Sequence, residues 1–507
     1  MSPRRLLIEH FFAGMFRSEM LSEAGIENYR TWLISAAVAL FAFHTQFARL
    51  RARNFGQPSD ELFVTAASFV TILLIVSLEW QSLFPGARDW QVLSPLPVRK
   101  SDIFVARLTA LGMFLGIALA AANLVPAGLY LSSRHWVAAI GAGSHAVLLA
   151  MALQGLCLLV LPRVFGFVVQ ALLLAISIVS LPLLLHVPGL RALDRLEWLP
   201  PMWWVGVCDA RYARLADRAW IGLGISFVVA MVSCAVLYRR FGEFASPPHA
   251  LSARRSLLTA LNRLSDRGAL AFVALTLARA PQHRLLLIGI ALFGVAFTIE
   301  GFVVALIKSG TNLSAIARAF PLLLGMSLTA ALTMCFRLPA EWRAHWVFRV
   351  TEDPLERPGQ LSATVAALYL FGALPALAIA LPFQVAASGP ITAAAGLPIT
   401  FGFLACLIEL RVQRWYRIPF TSTYAPTQMP AAIALVMFLA SFLAFGSFGG
   451  MLVGVASSSI QGFAIVGGIT AVTWVLLRRK RLAHWGDEPL EFTDDAGEVL
   501  VTRFAPE

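Results

Sequence analysis

Apolar and polar positions in this chain are segregated into long blocks rather than interleaved. Apolar runs cover residues 31–47, 62–78, 103–130, 137–161, 165–185 and 220–237, and then 285–307, 320–336, 364–386, 391–410, 431–445 and 451–477. Each is close to the ~20 residues that a helix needs to cross about 30 Å of hydrocarbon. The pattern therefore predicts an all-α polytopic membrane protein with about 12 transmembrane helices. The last two runs are divided by the glycine-rich stretch 446–450, which is read as the break between them.

The runs fall into two sets of six. A shift of about 254 residues brings elements of the first half near elements of the second, so that residue 31 falls near 285 and Pro85 near Pro339. In each half the second run is followed by a loop of roughly 24 residues, the longest inner loop of that half. This suggests two parallel six-span pseudo-repeats, an arrangement found in transporters. The expected organisation is a first half over 1–240, a cytoplasmic linker over 241–268 containing Pro247 and Pro248, a second half over 269–481, and a short acidic cytoplasmic tail over 482–507.

Ahead of the first run, Leu7, Ile8, Phe11, Phe12 and Met15 recur at helical spacing, interrupted by Arg4, Glu9 and Arg17. This predicts a helix lying in the membrane interface with its apolar face in lipid; the alternative is a helix packed on other spans. The mixed charge of this segment does not match a cleavable signal peptide, so the first span is expected to act as its own insertion signal.

Composition sharpens the picture. The chain is 58% hydrophobic and only 13% charged, against about 25% charged residues in soluble proteins. Its net charge of +12 would suggest nucleic acid in a soluble protein. Here Lys and Arg concentrate in loops that resist translocation, and no nucleic-acid partner is expected. The segment 239–284 and the run Arg478-Arg479-Lys480-Arg481 weigh most in this assignment, which places both termini in the cytoplasm and the protein in the cell (inner) membrane. Arg49, Arg51 and Arg53 dissent, as do arginines between 188 and 220, the latter offset by Asp194, Glu197, Asp209 and Asp217.

The chemistry within the runs is sparse. No HExxH, GxSxG or P-loop pattern is present, so no catalytic residue is assigned and ATP cannot be bound through a P-loop. Cys157, Cys208, Cys234, Cys335 and Cys406 form no CxxC pair and read as packing residues, with no metal or cofactor site indicated. Glu300 and Glu409 lie near run ends, and His44 and His145 lie deeper. A charge in a span is a functional candidate by default, but His145 reads better as satisfied by a neighbouring helix. Gly112 with Gly116, and Gly450 with Gly454, form GxxxG pairs that read as helix packing.

The loop after the second run is the most informative stretch. Pro85-Gly86 makes a turn, and residues 89–93 can form one or two helical turns carrying Trp90 and Leu93. Pro95 and Pro97 then enforce extended backbone, and Ser101 and Asp102 can cap the third span. The apolar residues of this bracketed element invite a cytoplasmic partner. The second-half loop, from Arg337 through Pro339, Glu341, Trp342 and Trp346, places its two tryptophans on one helical face. An interfacial aromatic belt is the alternative reading there. Residues 411–429, with Ile418-Pro419-Phe420, are expected to form a further inner surface.

The stretch Asp89…Leu93-x-Pro95-Leu96-Pro97-x-Arg99…Ile103-Phe104 resembles the inner loop of bacterial ABC exporter permeases of the six-helix export class. The N-terminal helix is similar too, as is the long outer loop before the sixth run, which holds Leu199-Pro200-Pro201-Met202-Trp203-Trp204. Many members have six spans, so this chain looks like a fused pair. The resemblance implies a permease subunit without catalytic machinery of its own. Such a subunit docks through its inner loops on a separate cytoplasmic ABC ATPase, expected as a dimer, and exports a substrate that the sequence does not define. Two alternatives remain: a secondary, ion-coupled carrier, and a membrane-embedded enzyme using the acids of the outer loop, which otherwise reads as a solvated lid.

Overall fold

The computed structural model of the chain describes residues 3–16, 58–80, 83, 93, 98–129, 133–160, 163–184, 196–239, 269–307, 313–338, 357–413, 415, 418–420 and 431–485. Among these, all regular structure is helical. The expected first span (31–47), the linker (241–268), His44, Asp194, and the loop residues Asp89, Trp90, Pro95, Pro97, Pro339, Glu341, Trp342 and Trp346 lie outside the described residues.

The chain divides at Leu251/Ser252 into two units, and that boundary falls inside the expected linker. The N-terminal unit contains α1 (Pro3–Phe16), α2 (Pro58–Leu78), α3 (Lys100–Leu129), α4 (Ser133–Val160), α5 (Arg163–Leu183), the short α6 (Pro200–Cys208) and α7 (Arg214–Arg239). The C-terminal unit contains α8 (Ala269–Arg279), α9 (Pro281–Ile307), α10 (Leu313–Arg337), α11 (Arg357–Leu368), a π-helical turn (Tyr369–Ala373), α12 (Leu374–Ser388), α13 (Pro390–Val412), α14 (Ala431–Ser458) and α15 (Ile460–His484). Helix α11, the π turn and α12 together form one span.

Ten helices among the described residues are long and apolar enough to cross a membrane. The protein is therefore a multi-pass helical membrane protein. The expected span at 165–185 is α5, whose fully described stretch, Gly166–Leu181, is apolar but shorter than the others.

Within each unit one span is the hub. Helices α2 and α10 each bury 83% of their most apolar stretch. Helix α2 packs on α3, α4, α5 and α6; α3 packs on α4, and α4 on α5 and α7. Helix α10 packs on α9, α12, α13 and α14; α12 packs on α13, and α13 on α14 and α15. The short leading helices follow the same pattern, α1 on α3 and α8 on α11.

Two sequence expectations are corrected here. The break at 446–450 does not occur: α14 runs through these glycines to Ser458, and the chain turns at Ser459, whose backbone is extended (φ −155°, ψ 152°) and whose hydroxyl caps α15 by accepting from the Gly462 N–H. The glycines serve packing instead. A Cβ on Gly446 would lie 2.3 Å from Leu323, and one on Gly449 would lie 2.7 Å from Leu322, so only a bare backbone fits flush on α10. Gly450 and Gly454 likewise meet Ala319 and Arg318, as their GxxxG spacing suggested, whereas Gly112 and Gly116 have no neighbour within 4 Å among the described residues. The second correction concerns α1. Leu7 and Phe11 are buried in the protein core, with Arg107 of α3 lying over the Phe11 ring at 5.1 Å. The apolar face of α1 thus packs on a span rather than on lipid.

Candidate functional site

The exit of α2 is built from buried polar groups that the sequence reading passed over. The last carbonyls of a helix have no partner within the helix. Here Gln170 of α5 donates to the Ser77 carbonyl at 2.9 Å, and Gln154 of α4 donates to the Trp80 carbonyl. Both glutamines are buried. They fix the point at which the chain leaves α2. An amide isolated in an apolar run was the available signal.

Beyond that point Trp80, Leu83 and Leu93 share one buried core with Leu7 and Phe11 of α1 and Ile103 and Phe104 of α3. Leu93 was expected to face a partner; it is turned into the protein and is only 8% exposed. Arg99 is exposed at the start of α3. Its backbone carbonyl accepts from the Asp102 and Ile103 N–H groups at 2.9 and 3.3 Å. Ser101 and Asp102 therefore sit inside the first turn rather than before it, where Asp102 still complements the helix dipole.

In the segment before α7, read from sequence as a solvated lid, the part that forms α6 is packed into the protein, while most of residues 210–218 are exposed. Helix α6 starts on Pro200-Pro201, which suit a first turn, and drives Met202, Trp204 and Val205 to full burial. The Trp204 ring lies on Gly141 of α4, where a Cβ would approach it to 2.1 Å. The Trp204 indole N–H donates to His145 Nδ1 at 3.3 Å, so His145 is satisfied by a packed neighbour. Two of the described acids here are paired, Glu197 with Arg214 and Asp209 with Arg211 at 2.9 Å, while Asp217 is exposed in the first turn of α7. Burial alone would raise the Asp209 carboxyl, but the hydrogen bonds from Arg211 outweigh it and hold the group below its ordinary value. Among the described residues no three His, Cys, Asp or Glu side chains come together as metal ligands.

In the C-terminal unit, Phe420 is buried at φ 65° and donates its N–H to the Phe336 carbonyl at 2.9 Å. Its ring packs on His283 and Phe336. Pro419 and Phe420, which belong to the inner surface expected over 411–429, are thus core residues.

A cleft of about 670 Å³ lies in this unit, between α11, α13 and α15. Pro398, Ile399 and Phe401 form part of its α13 wall and Phe463 part of its α15 wall, while Tyr369 of the π turn enters from α11. π turns inside helices frequently mark functional sites. One end carries Glu409, Trp474, Arg478 and Arg481. Arg481 makes a two-point contact with Glu409, both side chains being almost fully buried. The Trp474 indole N–H donates to the Tyr369 hydroxyl at 3.3 Å, and the Arg478 guanidinium lies 5.2 Å from the Trp474 ring centre. Glu300, the other acid considered from sequence, is half-buried in α9 and does not line this cleft.

Comparison with protein-family models, with curated proteins and with solved structures gives no match.

Proposed function

We propose that this chain is the membrane-spanning permease of an ATP-driven exporter of the ABC type, with twelve spans in two six-span repeats and both termini in the cytoplasm. A separate ATPase dimer would dock on the inner loops that follow the second span of each half. One observation carries the reading: α1, Leu83, Leu93 and the start of α3 share a single core at the exit of α2. A push on the loop would reach α2 and α3 together, because a close-packed body transmits displacement rather than absorbing it. The matching sets of helix pairings in the two units support the repeat. Nucleotide would act by favouring one arrangement of the spans, which requires different affinity for the two.

The test is purification of the full chain from its native membrane. The expected result is an ABC ATPase that co-purifies and whose turnover changes on reconstitution with the chain. Trp90→Ala and Trp342→Ala should weaken that association. Transport by the purified chain under an ion gradient, with no nucleotide and no ATPase bound, would overturn it. The Glu409–Arg481 pair beside the cleft favours this second reading, an ion-coupled carrier, since ionised groups within spans commonly line ion or substrate paths.

A further inference from the structure

The cleft between α11, α13 and α15 has the dimensions and charge of a lipid site. Its volume of about 670 Å³ falls in the ~300–1,000 Å³ range of small-molecule pockets. Along α13 its wall runs from Pro398 to Glu409, about 16 Å of helix, which is half of a ~30 Å hydrocarbon layer. On this wall the cleft is as long as one leaflet is thick. Ala405 and Ala471 present only a methyl group to it, while Gly402 and Gly467 let α13 and α15 meet closely along its edge, against Thr470 and Ile399. Phe401 and Phe463 line it and are also exposed, so it opens at the surface of the unit. At this depth an opening faces acyl chains rather than water.

The charged end selects a headgroup. Arg481 is already matched by Glu409. Arg478 is not: it is exposed, lies over Trp474, and has no carboxylate partner among the described residues. The Tyr369 hydroxyl holds Trp474 in place beneath it. Arg479 follows directly, also exposed. A cation on an aromatic ring at the end of a span sits at the height of lipid phosphates.

We propose that this cleft binds a phospholipid of the surrounding bilayer that carries an anionic headgroup. One acyl chain lies against Ile399, Phe401 and Gly402, and the phosphate sits at Arg478. The proposal goes beyond the transport reading and holds whether nucleotide or an ion gradient drives the protein.

The experiment reconstitutes the full chain in vesicles of equimolar phosphatidylglycerol and phosphatidylcholine, extracts it in mild detergent, and identifies retained lipid by native mass spectrometry. The wild type should retain phosphatidylglycerol about fivefold over its bulk ratio, the preference that one interfacial cation gives. Arg478→Gln should retain lipid without that preference, and Ala471→Trp, which fills the cleft from an exposed position, should lose the retained lipid. Retention at the bulk ratio by the wild type would overturn the proposal. So would an undiminished preference in Arg478→Gln, or recovery of a non-phospholipid amphiphile from chain purified directly from native membranes. The wild-type comparison stands even if a variant fails to fold.

Discussion

Arg481 and Glu409 face each other across α15 and α13 in a fork-to-fork contact, Nε to Oε2 at 2.6 Å and Nη2 to Oε1 at 3.3 Å, with exposures of only 7% and 2%. The Arg481 guanidinium also lies 4.3 Å from the centre of the Trp485 ring. The pair ties together the parallel ends of two spans that are 72 residues apart in sequence.

Breaking this pair should be worse than removing it. Glu409→Gln or Arg481→Met leaves one buried charge uncompensated and should cost roughly 3–5 kcal/mol, whereas Glu409→Leu combined with Arg481→Leu should come close to the wild type. Thermal unfolding in detergent distinguishes the two. Equal losses in the single and double variants would show that the charges do not compensate each other.

Gln170→Leu is expected to destabilise the N-terminal unit by about 1–3 kcal/mol, because it strands the Ser77 carbonyl at the end of α2. The effect is on stability first. If the exit of α2 is where the ATPase acts, the same variant should also reduce coupled turnover at temperatures where the protein remains folded.

Gly141→Ala should overpack the α4–α6 contact and cost about 1–3 kcal/mol, since the Trp204 ring it meets is fully buried. Shrinking the ring in a Gly141→Ala/Trp204→Leu double variant should recover part of the loss. A strictly additive double variant would mean that the two side chains do not touch.

Cys208 should resist thiol reagents in the folded protein. Burial, reinforced by the nearby carboxylates of Glu61 and Asp209, pushes its thiol up to about 12, and the thiolate is the reactive form. Near neutral pH the folded group stays protonated, and only as the pH approaches that value does it ionise. Maleimide labelling should therefore spare Cys208 in the native protein and reach all five cysteines in denaturant.

The spans were legible because lipid imposes a length and an apolar composition that one sequence displays directly. Most of the expected runs return as helices within a few residues of their bounds. What the sequence hid is how the helices face one another. The Gly446–Gly450 stretch reads as a break by propensity, yet it is a packing seam, because the decisive partner is Leu323 on a different helix. Helix α8 was missed because it has only 11 residues, too few for a span, and its role emerges only from its docking on α11. Glu409 was visible as a lone acid, but its partner Arg481 belonged to a basic run that read simply as a cytoplasmic stop. The cleft beside that pair left no local signal at all: its walls come from three helices whose small residues are common throughout the chain.

The enclosure of α2 and α10 also constrains how the protein can change shape. A helix gripped by four neighbours cannot slide or tilt alone without opening voids on every side. In each unit it is tied to its neighbours, so a push delivered at the end of α2 would carry the helices packed on it along with it. A pair of labels spanning α2 and α4, or α10 and α14, should therefore keep its distance throughout the cycle.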